Sequence, residues 1–128
     1  CAMMSLPHRF GTTYATIPWQ GPYLKPPGDD RFAEVFAGVS GLRVGFVWAG
    51  NPAQASDWAR SVTWETFAPL ARIPGVVAVP LQMGAAGAQW HVAEGGHAID
   101  LRSQFEDFAD TAAAIAHLDV VVTVCTSV

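Results

Sequence analysis

The run Leu42–Trp48, LRVGFVW, is apolar at nearly every position and stops at Ala49-Gly50-Asn51-Pro52. A strand with one wet face alternates polar and apolar residues. A continuous apolar strand is covered on both faces, as in a parallel sheet flanked by helices. The small, polar loop that follows returns at Arg60-Ser61, just ahead of a helical pattern. A parallel strand feeding such a loop and then a helix N-terminus is where open α/β sheets hold anionic ligands. A phosphate-bearing ligand is therefore the leading expectation.

The rest of the chain repeats this alternation. Asp29 or Asp30 is placed to cap a short helix over Arg31–Ala37, with Phe32, Val35 and Phe36 on one face and Gly38 ending it. Thr63 is placed to cap a helix over Trp64–Arg72, which Pro69 should kink or shorten. Val76–Leu81 reads as a second strand and Ala98–Leu101 as a brief third; the Gly- and Ala-rich stretch between them suggests a short helix over Ala85–Val92. Asp107 or Asp110 caps a helix with the stripe Phe108, Ala112, Ile115 and Leu118, and Val120–Val124 is another continuous apolar strand. This order implies an α/β fold, a partial Rossmann-like domain with a parallel sheet of about four strands and flanking helices. In the doubly wound order 3-2-1-4, the loops leaving strands one and four face each other across a crevice.

Composition narrows the function classes. With 128 residues, 51% of them apolar and 14% charged, the chain is long enough for one well-buried domain and too apolar for disorder. A net charge of −4 and seven scattered Lys and Arg leave no phosphate-backbone footprint, so nucleic acid is not an expected partner. The most apolar stretch, Thr111–Val128, is divided by His117 and Asp119, so no membrane span is expected. Cys1 and Cys125, at opposite ends, make no disulfide framework, which fits a cytoplasmic location. The start at Cys1 suggests an excised piece of a longer protein. Residues 1–28 hold five prolines with interspersed Phe10, Tyr14, Trp19 and Tyr23, a composition that excludes long regular elements and points to packing on something.

The chemistry-bearing residues each have two readings. Gly50 and Asn51 would let the backbone approach a phosphate, or make an ordinary turn between strand and helix. Arg60 would bond a diphosphate in bidentate fashion with the Ser61 hydroxyl beside it, or be a solvated arginine. Neither G-x-G-x-x-G nor G-x-x-x-x-G-K-[ST] is present, which disfavours a nicotinamide-dependent oxidoreductase and a P-loop NTPase. His91, Glu94 and His97 fall within a short span, but their spacing and Gly95-Gly96 favour a surface loop over a metal site. His8 is taken as a packed or exposed histidine, Cys125 as a buried apolar side chain, and Ser127 has no nucleophile-elbow context. Glu106, Asp107 and Asp110 read as helix-cap charge.

The segments MSLPHRFGTTYATIP with PYL (Met4–Leu24), GLRVGFVWAGNP (Gly41–Pro52), ARSVTWETFAPL (Ala59–Leu70), IPGVVAVPLQMG (Ile73–Gly84) and DFADTAAAIAHLDVVVTVCTS (Asp107–Ser127) run in order along most of the chain. They resemble the glycosyltransferase-like GT-B region of bacterial tetratricopeptide-repeat proteins, which is similar to heptosyltransferases and more remotely to O-linked N-acetylglucosamine transferase. The resemblance implies that residues 1–28 are the tail of a preceding domain and the interdomain crossing. Residues 29–128 would be a nucleotide-sugar-binding domain truncated at its C-terminus. It implies a nucleotide-diphosphate sugar as donor substrate, no metal or other cofactor, and tetratricopeptide repeats and a second GT-B half as partners in the parent chain. By this analogy Gly50, Asn51, Arg60 and Ser61 line the donor diphosphate site, and Gln82 and Thr126 border it. Arg60 and helix N-termini would then stabilise the departing diphosphate; the chain offers no candidate for the catalytic base.

Two residues depart from the family pattern. Met83 stands where relatives often carry a basic residue, and Cys125 where an aspartate is usual. Together with the missing histidine and helix beyond strand four, they make the isolated chain an expected non-catalyst. They keep open a second reading, a degenerate nucleotide-binding or protein-interaction module. The strand-four edge left by the absent half is expected to drive self-association.

Overall fold

The computed structural model describes residues 2–17, 21, 24–26, 28 and 31–126. Asp29 and Asp30, proposed above as caps, and Cys1, Trp19, Tyr23 and Ser127 lie outside the described residues. Four parallel strands form one sheet: β1 (Leu42–Val47), β2 (Val76–Pro80), β3 (His97–Ala98) and β4 (Val120–Thr123), in the order β3-β2-β1-β4. The fold is α/β and Rossmann-like, in the expected 3-2-1-4 order. Among the described residues five α-helical segments accompany the strands: α1 (Leu6–Arg9), α2 (Ala33–Phe36), α3 (Trp64–Ala71), α4 (Gly84–Gly87) and α5 (Phe108–Ile115).

β1 is central because both of its faces are apolar. Val44, Phe46 and Trp48 pack on one side with Trp64, Ala68 and Ala71 from α3. On the other, Val47 joins Val79, Leu81, Phe32, Phe36 and the α5 residues Ala113 and Ala114. Gly45 allows the second face to close: a Cβ there would lie 2.6 Å from Leu118 and 2.9 Å from Leu81. At the opposite end of the sheet, Asp119 accepts from the Arg43 backbone N–H at 2.8 Å and from its guanidinium at 2.9 and 2.7 Å. That clamp fixes the register of β4 on β1.

Several local expectations are corrected. Val35 is exposed, because α2 is a single turn that turns only Phe32 and Phe36 inward. Pro69 sits inside α3, which stops at Ala71, one residue short of the expected Arg72; the carbonyl that loses its partner, on Glu65, is on an exposed residue. Thr63 occupies the N-cap of α3, but its hydroxyl caps no backbone N–H. The helix expected over Ala85–Val92 is one turn, Gly84–Gly87, after which the N–H groups of Ala88, Gln89 and Trp90 bond three residues back and indoles take the Ala86 and His91 carbonyls. Trp48 donates to the Ala86 carbonyl at 3.3 Å, Trp64 donates to the His91 carbonyl at 3.1 Å, and the Trp64 and Trp90 rings lie 4.3 Å apart. β3 is His97–Ala98, beginning one residue before the expected Ala98–Leu101 and ending at its first residue, directly after the Gly95-Gly96 turn.

Helix α5 is rotated from the expected stripe. Asp107 accepts from the Ala109 and Asp110 N–H groups at 2.7 and 3.2 Å, while Asp110 accepts in return from Asp107 and from Glu106. This reciprocal cap turns Asp110 inward, where it meets Arg31 in an ion pair and is buried with Thr111, Ala113 and Ala114. Phe108 consequently points outward and is 68% exposed. Cys125 is also exposed, contrary to expectation, because β4 is an edge strand and ends at Thr123, short of it. No helix among the described residues is long and apolar enough to cross a membrane.

Candidate functional site

The carboxyl ends of β1, β2 and β4 open on a common crevice, and the loop after β1 forms its near wall. That loop is pinned at its stem. The Gly50 N–H donates to the Ser61 hydroxyl at 2.9 Å, and the Val62 N–H donates to the Trp48 carbonyl at 2.8 Å. Asn51 uses its side-chain oxygen locally, accepting from the Ala53 N–H at 2.9 Å. At the far end Arg60 Nε donates to Asp57 Oδ1 at 3.0 Å. Both side chains press on Gly50: a Cβ there would stand 2.7 Å from Arg60 Nη2 and 2.7 Å from Asp57 Oδ1. Glycine at this position lets the ion pair close over the backbone.

Gln82 follows β2 and is buried. Its Oε1 accepts from the Trp48 N–H at 3.1 Å and the Ala49 N–H at 2.8 Å, and its Nε2 donates to the Met83 carbonyl at 3.1 Å. Backbone donors just past the end of a strand have no ladder partner, so an internal amide satisfies two that would otherwise be orphaned. Gln82 thus holds the loop where it leaves β1, in addition to facing the crevice.

Two adjoining pockets occupy the crevice. One, of about 250 Å³, is lined by Gly50, Asn51, Gln82 and Thr126, with Met83, Phe108 and Thr111 completing its wall. The other, of about 320 Å³, is lined by Gly50, Gln82, Asp57 and Gln89 among others. Four of the six residues singled out in the sequence therefore meet at one pocket. Arg60 and Ser61 do not line either; they stand behind Gly50 and brace the loop. A third, more apolar hollow of about 380 Å³ shares Met83, Phe108 and Thr111 and extends the wall toward Phe105.

Phe108, Thr111, Asp57 and Gln89 are among the pocket-lining residues that sequence reasoning missed. Phe108 was assigned to the core stripe, although the Asp107/Asp110 capping pattern that rotates the helix is present in the sequence. Asp57 lies three residues before Arg60, the spacing of an ion pair within one turn, and its partner could have been read there. Near Phe108, the Glu106 backbone N–H, with smaller help from Asp107 and Arg31, holds the Asp110 carboxyl below its ordinary value. Among the described residues no three His, Cys, Asp or Glu side chains gather as a metal-binding set. Compared with protein-family models, curated proteins and solved structures, the chain matches none of them.

Proposed function

We propose that the crevice at the carboxyl ends of β1 and β4 holds the diphosphate of a nucleotide-sugar donor. On this reading the chain is part of a GT-B glycosyltransferase that transfers the sugar to an acceptor. The observation that carries the reading is the pocket itself, at the point where strand order reverses, with Gly50, Asn51, Gln82 and Thr126 brought to it from three loops. Ligands of open α/β sheets bind at such a switch point. Gly50 exposes backbone at the wall, and Arg60 stands one residue layer behind it as the nearest guanidinium of the loop. Phosphate contacts there would offset charge on the leaving diphosphate without a metal. The parent protein would carry the second GT-B half and tetratricopeptide repeats.

Isothermal calorimetry with uridine, guanosine and adenosine diphosphates tests this. Binding of at least one, weakened by Arg60→Ala, is expected; no binding to any, with Arg60→Ala silent, refutes it. One observation favours the second reading, a non-catalytic nucleotide-binding or interaction module. Arg60 is already engaged by Asp57, and no basic side chain lines either of these two pockets among the described residues.

A further inference from the structure

The charge at the crevice is arranged opposite to what an anion needs. Asp57 lines the 320 Å³ pocket, whereas its partner Arg60 lines neither pocket. The pair is not a solvated surface contact: the side chains are 15% and 24% exposed and both pack on the Gly50 backbone. An ion pair so shielded from water is stronger than an exposed one, so its partner choice matters to a ligand.

We propose that Asp57 is an internal competitor for Arg60, so that a phosphate ligand binds by taking the guanidinium from it; this rests on the donor-site reading above. A guanidinium donates to a carboxylate or a phosphate oxygen with the same N–H geometry, so one acceptor can replace the other. The replacement is more favourable for an anion carrying more charge than the single carboxylate it displaces. The arrangement thus selects diphosphate over singly charged anions. The segment between the pinned stem residues is suited to the exchange. Residues 51–56 are exposed, while Asp57 and Arg60 sit on a turn closed by the Arg60 and Ser61 N–H groups on the Asp57 carbonyl at 3.0 and 2.9 Å, so the exchange is a rotation of side chains on a fixed backbone.

The test is calorimetry of inorganic pyrophosphate and of uridine diphosphate with the wild-type chain, Asp57→Asn and Asp57→Ser, each with a matching far-ultraviolet circular dichroism spectrum. Removing the carboxylate is expected to raise affinity for both ligands about tenfold, and adding Arg60→Ala to Asp57→Asn is expected to abolish that gain. Binding detected in the variants alone supports the competition. Equal or weaker binding in both Asp57 variants overturns it while the donor site stands. Absence of binding in all chains overturns the donor site and the competition together.

Discussion

Replacing Gln82 with leucine isolates what this side chain does for the fold. Leucine keeps the volume and removes the oxygen that accepts from the Trp48 and Ala49 N–H groups. Trp48 is fully buried, so its N–H gains no water in exchange, whereas Ala49 is half-buried and recovers part of its hydration. An orphaned buried donor costs about 1–3 kcal/mol. Taking the Trp48 donor near the middle of that range and the Ala49 donor near its low end, the loss is about 3 kcal/mol. That corresponds to a fall in Tm on the order of 10 °C for a domain of this size. Urea unfolding followed by tryptophan fluorescence measures the loss, since Trp48, Trp64 and Trp90 report on the same cluster. Hydrogen exchange localises it: the Trp48 and Ala49 amides should exchange roughly a hundredfold faster in the variant. A loss below about 1 kcal/mol, or unchanged exchange at these two amides, would refute the bridging role.

Two further outcomes follow from the sheet edges. The Arg43 guanidinium and backbone N–H hold the Asp119 carboxyl at about 2, below its ordinary 3.8. A carboxylate favoured by the fold contributes stability above its unfolded value and loses it as pH falls through the folded one. Urea midpoints should therefore drop between pH 3.8 and about 2 more steeply for the wild-type chain than for Asp119→Asn; equal slopes would count against the clamp. Among the described residues β4 leaves one edge unpaired, with Val120 and Thr123 exposed, so the chain should self-associate as its concentration rises. Light scattering that returns a constant monomer mass would contradict this.

Strand identity was legible wherever burial on both faces removes polar residues. Leu42–Val47, Val76–Pro80 and Val120–Thr123 lie within or on the apolar runs. The topology followed from their alternation with helices. β3 was less legible because only two residues pair, too few to set a pattern. Counting apolar residues around α5 misplaced Phe108, because the inward face there is taken by an aspartate whose cation, Arg31, lies 79 residues away. At the candidate site, Gly50, Asn51, Gln82 and Thr126 were brought to one pocket from loops the strand order makes neighbours. Both sequence readings of Arg60, on a diphosphate or in solvent, miss Asp57, since a single residue shows its charge but not which acceptor it holds.

The position of β1 in the sheet has a consequence for synthesis. The strand at the centre is made first, and its partners arrive late: Gln82 reaches Trp48 across 34 residues, and Asp119 reaches Arg43 across 76. At ribosomal rates of 5–20 residues per second, the second gap leaves one edge of LRVGFVW open for roughly 4–15 s. During synthesis this sheet cannot close before β4 arrives. The nascent chain is most vulnerable to wrong pairing while β1 and β2 exist and β4 does not.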